Sequence, residues 1–172
     1  MGEHDLLFCD MVHRNAVKHR HRTAFSSEAT QWTFEEYARD SERVAAGLAG
    51  LGVIKGDRIA VFAYNSYEYF LIYAAAARLG AIVVPVNWRL TDDEVFVLFE
   101  DSTPGVIFSC DPFCESLGKV ADRCGSVRHR FVIGGESRGY TPFAVLFMSA
   151  SPPPATEVSQ NDPFVIIHTA AV

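Results

Sequence analysis

Apolar positions recur with two different periods along the chain, and the switches between them predict its elements. Short β-branched or aromatic runs at 58–64, 81–86, 106–108 and 130–133 read as strands buried on both faces of a parallel sheet. Between the first two, Tyr67–Leu79 is rich in alanine and has the length of a crossover helix, so 56–90 is predicted as one right-handed βαβ unit. Upstream, Phe34, Tyr37, Ala38, Val44, Ala45, Leu48 and Leu51 form one apolar stripe at spacings of three and four. Glu35, Arg39, Asp40, Glu42 and Arg43 face away from it, which predicts an amphipathic helix.

Start and stop signals sharpen these limits. Thr33 and Glu36 form a capping box ahead of the striped helix, and Gly50 and Gly52 close it. Asn65-Ser66 with Glu68 opens the crossover helix, and Thr91-Asp92-Asp93-Glu94 caps a further one whose buried edge is Val95, Leu98 and Phe99. Asp111 reads as an N-cap with Pro112 at the first helical position, followed by an apolar face of Phe113, Leu117, Val120, Ala121 and Cys124. A weakly amphipathic helix over 6–17, a hairpin turning at Ser26-Ser27, and a short helix opened by Thr141-Pro142 and running to Met148 complete the pattern. Residues 151–160, with prolines at 152–154, read as an extended connector before a last buried strand at 164–167.

These elements predict a three-layer α/β domain spanning 1–172, a mostly parallel sheet of roughly five strands with helices on both faces. The close of the chain in small residues directly after a core strand reads as a truncation of a longer domain.

With 172 residues and 49% hydrophobic content the chain can bury one core. Its net charge of -6 argues against a nucleic-acid binder held by counterion release. The run Lys18-His19-Arg20-His21-Arg22 suits a phosphate or a membrane surface, or simply a solvated helix end. The first ten residues are acidic where a signal peptide is basic, so the four cysteines, Cys9, Cys110, Cys114 and Cys124, are expected to be reduced in a cytoplasmic setting. They lack the paired spacing of a zinc site and read as packing thiols, with no metal implied. The longest apolar run, 70–86, is short and carries Arg78, which predicts no transmembrane segment. The glycines at 50, 52 and 56 close a helix and precede a strand, the reverse of a dinucleotide fingerprint.

Trp32-Thr33-Phe34-Glu35-Glu36, the stretch 52–61, Asn65-Ser66-Tyr67-Glu68-Tyr69, and 78–87 with Arg89-Leu90 together resemble, in order and spacing, the adenylate-forming acyl-CoA synthetases. The resemblance covers most of the chain. In that family a strand of the form Asp-x-Ala leads into a Thr-Ser-Gly-Thr-Thr-Gly-x-Pro-Lys-Gly loop that clasps the ATP phosphates. Residues 162–168 resemble the strand, and the resemblance implies a loop start at His168, Thr169, Ala170, Ala171 and Val172. Ala170 stands where serine is usual, and Ala171 and Val172 replace glycine and threonine, so backbone amides are kept and hydroxyls are lost. The resemblance also implies a CoA phosphate contact at Arg89, to be weighed against an ion pair with Asp92 or Asp93.

For a whole enzyme of this kind the resemblance implies a carboxylic acid, ATP with Mg2+, and CoA as reactants, through an acyl-adenylate. It assigns no catalytic residue to this chain, which is expected to be inactive and ligand-free by itself. Apolar surface left bare would favour a homodimer. The alternative is a stand-alone anion-binding or interaction module, using the basic run or Arg89.

Overall fold

A computed structural model describes residues 7–149 and 151–168. Helix α1 (Phe8–Lys18) is followed by a hairpin of β1 (Thr23–Ser26) and β2 (Gln31–Thr33), then by α2 (Phe34–Gly50). Strands β3 (Arg58–Phe62), β4 (Ile82–Pro85), β5 (Val106–Cys110) and β6 (His129–Ile133) alternate with α3 (Tyr67–Leu79), α4 (Asp92–Ser102) and α5 (Asp111–Arg123). A short strand β7 (Thr141–Pro142) and a 3-10 helix (Phe143–Met148) follow.

The five strands lie in the order β4-β3-β5-β6-β7, every pair parallel. Because β4 and β5 flank β3 on opposite sides, the winding reverses at β3 and helices cover both faces. Side-chain alternation divides each strand's apolar run between two cores. Ile59, Val61, Val83, Val106, Phe108 and Phe131 meet α2, α3 and the 3-10 helix, while Ala60, Phe62, Val84 and Ile107 meet α4 and α5. The three-layer α/β architecture expected from the pattern is therefore present.

Local signals set the helix limits. Thr33 Oγ1 accepts from the Glu36 N–H at 3.2 Å, and the Glu36 carboxylate accepts from the Thr33 N–H at 2.8 Å. Thr91 and Glu94 repeat the arrangement at α4, and Ser66 accepts from the Tyr69 N–H to start α3. Gly80 ends α3 at φ 67°, a left-handed conformation that costs glycine little. At Gly47 the constraint is contact: a Cβ there would lie 2.4 Å from the Leu146 carbonyl oxygen, so α2 and the 3-10 helix pack backbone to backbone.

Four expectations are corrected. Strand β5 continues to Cys110, so Cys110 is the cap residue of α5 and Asp111 already stands in its first turn. Thr141-Pro142 is an edge strand on β6 before it yields to the 3-10 helix; an edge tolerates proline because one side needs no N–H donor. Leu51 lies beyond the last turn of α2 and is 38% exposed, while Ser41, bonded to the Ala38 carbonyl, completes the buried stripe. Residues 164–167 are not a buried strand: Val165 makes one parallel bridge to Val83, and Ile167 is 69% exposed. The segment lies outside β4 with no strand beyond it among the described residues, and its main apolar anchor is Phe164, stacked 5.4 Å from Phe8. Lys55 ties it down, 2.6 Å from the Asp162 carboxylate and donating to the Glu157 carbonyl at 3.0 Å.

Gly47→Ala is expected to lower the urea midpoint by the equivalent of about 1–3 kcal/mol, because the obstructing atoms are backbone. Gly50→Ala, whose added methyl meets nothing within 4 Å, is expected to be neutral or stabilising by up to about 1 kcal/mol; equal loss in both variants would contradict the close-contact account.

The Lys55 ammonium, then the Ser159 N–H, hold the Asp162 carboxyl below its ordinary value. A folded-state pKa below the unfolded one stabilises above the unfolded value and ceases to do so as pH falls through the folded one. Asp162→Asn should therefore destabilise the chain at neutral pH, and the difference should shrink as pH falls below the ordinary carboxylate range in an acid titration of the melting temperature.

Candidate functional site

The winding reverses at β3, and the candidate site lies at the carboxyl ends of the strands beside that switch, where open α/β sheets gather ligands. Three separate loops supply its side chains. Tyr64 follows β3, Trp88 and Arg89 follow β4, and Phe113 stands in the first turn of α5 after β5. The Tyr64 ring lies edge-on to Trp88 at 5.2 Å and to Phe113 at 4.9 Å. Trp88 and Phe113 are nearly parallel at 6.1 Å, and Phe113 rests on Phe62 of β3. Phe62 is buried, whereas Tyr64 is 48% and Trp88 39% exposed, so the cluster rises from the core to an open ledge.

The turn that carries Arg89 is fixed by Asn87, whose side-chain oxygen accepts from the Arg89 N–H at 3.1 Å and whose carbonyl accepts from the Leu90 N–H. The Arg89 guanidinium then lies 4.7 Å over the Trp88 ring. Asp92 is taken by Ser116, and Asp93 by Arg123 at 3.1 Å. Among the described residues no carboxylate reaches Arg89, so its neighbour is an indole face rather than the anticipated ion pair. A ring face beside a guanidinium is chemically suited to a planar group carrying a phosphate.

His168 lies elsewhere. Its Nε2 is 3.0 Å from the Asp101 carboxylate near the end of α4, and no hydrogen bond or ion pair joins it to Arg89 among the described residues. Thr169, Ala170, Ala171 and Val172, the rest of the expected loop start, lie outside the described residues. Cys114 and Cys124 are buried, and burial pushes both thiols up, which suits packing and not nucleophilic attack. Among the described residues no three His, Cys, Asp or Glu side chains converge to hold a metal ion, and no helix is long and apolar enough to cross a membrane.

Sequence reasoning singled out Arg89 and missed Tyr64, Trp88 and Phe113. The available signal was that Tyr64 ends a predicted strand and Trp88 and Phe113 each follow one within a few residues; what was lacking was the strand order that brings the three loops to one place.

Comparison with known proteins bears on this geometry. The family model described as AMP-binding enzyme matches residues 12–170. The long-chain-fatty-acid–CoA ligase FadD13 of Mycobacterium tuberculosis is 32% identical over 84% of this chain and 28% of its own length. The fatty acid–[acyl-carrier-protein] ligase ScoC of Streptomyces coeruleorubidus is 30% identical over 83% of this chain and 26% of its own. Among solved structures, one provisionally described as a long-chain-fatty-acid CoA ligase from Rhodopseudomonas palustris superposes with a TM-score of 0.92 at 36% identity, covering 98% of this chain and 43% of that one. The chain thus spans about a quarter of the length of these two curated relatives. On the match over residues 12–170 and the shared fold, the chain belongs to the AMP-binding enzyme family.

Proposed function

We propose that this chain is the N-terminal scaffold of an AMP-forming acid–thiol ligase, and that it presents two contacts: the Trp88–Arg89 ledge to the nucleotide end of CoA, and His168 to Val172 as the start of the ATP phosphate loop. The observation that carries this reading is the family match over nearly the whole chain, with ligases of carboxylic acids among the relatives. In the reaction a carboxylate oxygen attacks the α-phosphorus of ATP, the bond to pyrophosphate breaks, and an acyl-adenylate forms. The thiol sulfur then attacks the acyl carbonyl, AMP leaves, and the thiol proton passes to solvent. The described residues offer no cluster for the magnesium that accompanies ATP.

At the ledge the energetics favour exchange. An exposed cation over a ring contributes about 0.5–1 kcal/mol, whereas a hydrogen bond to a charged group contributes about 1.5–3 kcal/mol. Arg89 therefore gains by leaving the indole for a phosphate, and the uncovered ring becomes a stacking surface for adenine. The ledge also bears on the thiol acceptor. ScoC is described as a carrier-protein ligase; with the ATP phosphates given to the loop that starts at His168, the ledge is left for a second nucleotide, and CoA is therefore the acceptor in this reading. In this reading the acyl pocket and the catalytic residues belong to the rest of the enzyme, and the chain by itself is inactive.

The purified chain is expected to give no carboxylate-dependent ATP–pyrophosphate exchange; exchange by the chain alone would overturn the scaffold reading. In a chimera where residues 1–172 replace the matching stretch of the Mycobacterium tuberculosis ligase, Arg89→Ala should raise the KM for CoA about tenfold and leave exchange unaltered. An unchanged KM would remove CoA from the ledge. Tight, saturable CoA binding to the isolated chain, lost on Arg89→Ala, would instead favour a stand-alone anion-binding module.

A further inference from the structure

The segment from Met11 to Ser27 holds four of the 15 Lys and Arg residues, three of the six His residues and none of the 21 Asp and Glu residues. An acidic chain has thus collected a continuous basic stretch, and the fold puts it on one surface. Helix α1 seats Phe8 and Val12 against the core shared with α2 and α3. Its other side presents His13, Arg14 and Lys18, with Val17 68% and Met11 37% exposed. The turn into β1 adds His19, Arg20, His21 and Arg22, all exposed.

Most of this charge is uncompensated. Glu35 pairs with Arg20 and lies 3.9 Å from His21, and Asp10 at the start of α1 accepts from the Leu7 N–H at 3.3 Å. Among the described residues no carboxylate is within ion-pair distance of Arg14, Lys18 or Arg22. Among the described residues, three cations without an ion-pair partner therefore accompany an exposed valine and methionine on one surface.

We propose that the outer side of α1 and the turn after it form a docking surface for an anionic phospholipid bilayer. Cations at headgroup phosphates with aliphatic side chains reaching the acyl boundary are the two components of interfacial binding. Single-stranded nucleic acid fits less well, because its surfaces interleave cations with exposed aromatic rings for base stacking, and the exposed large apolar residues here are Met11 and Val17. The surface is separate from the Trp88–Arg89 ledge, since α1 packs with α2 and α3 while Phe113 belongs to α5 on the opposite face. It stands whether or not that ledge binds CoA.

Near an anionic membrane each Lys or Arg adds roughly fivefold to partitioning, with screening by salt. Sedimentation of the full chain with phosphatidylcholine vesicles, with and without phosphatidylserine, tests the proposal. Binding is expected to the phosphatidylserine vesicles, to weaken at high salt, and to fall on the order of a hundredfold in Arg14→Gln/Lys18→Gln/Arg22→Gln. Val17→Ser should weaken the part that survives high salt. Equal binding to both vesicles, binding to neither, or an unchanged triple variant overturns the proposal. So does tighter binding to single-stranded RNA than to vesicles, which would reassign the surface to nucleic acid.

Discussion

Strand β3 has neighbours on both sides and is buried on both faces, and this one constraint shapes the rest of the molecule. Its pairing with β4 on one side and β5 on the other leaves no room for the chain to keep winding in one direction. One helix must cross one face and the next two the other, so the sheet becomes the middle of three layers. Every apolar residue of β3 then has an assigned side: Ile59 and Val61 for one core, Ala60 and Phe62 for the other. A shift in register by one residue would exchange these sets and leave large side chains where alanine now fits. The same strand order brings the loops after β3, β4 and β5 together, so that Tyr64, Trp88 and Phe113 meet at one ledge.

Function in this part of the molecule is consequently a matter of position and not of reactive groups. The rings of Tyr64, Trp88 and Phe113 stack outward from Phe62, and the turn held by Asn87 lays Arg89 across the uppermost of them. In the proposed reading these groups hold a ligand and carry no proton transfer or bond formation. They suit a ligand that must be held by a distant end while its reactive end is handled elsewhere, which is how CoA meets a thioester-forming enzyme. The basic side of α1 follows the same logic on the other face, with cations and aliphatic side chains arranged for a surface and not for a reaction.

What the sequence made legible was whatever a few neighbouring residues decide. The capping pairs Thr33–Glu36 and Thr91–Glu94 fixed two helix starts, and Ser66 opened α3. The misplaced features depend on partners remote in the chain. Phe164 to Ile167 is as apolar as a core strand, yet its burial depends on what lies outside β4, and only Val165 bridges. Thr141-Pro142 carries a helix-opening signal that pairing with β6 overrides. The ledge was half legible: Arg89 stood out through the family resemblance, while its aromatic neighbours come from loops whose meeting depends on strand order. The family itself was readable because its order and spacing of short motifs survive in the sequence.

The central claim is that the Trp88–Arg89 ledge beside the reversal at β3 receives the nucleotide of CoA. A crystal structure of the chimeric ligase with CoA bound tests it most directly. The account predicts the adenine ring stacked on Trp88 and the Arg89 guanidinium turned from the indole onto a phosphate; a nucleotide bound elsewhere, with Arg89 still lying over Trp88, would contradict it.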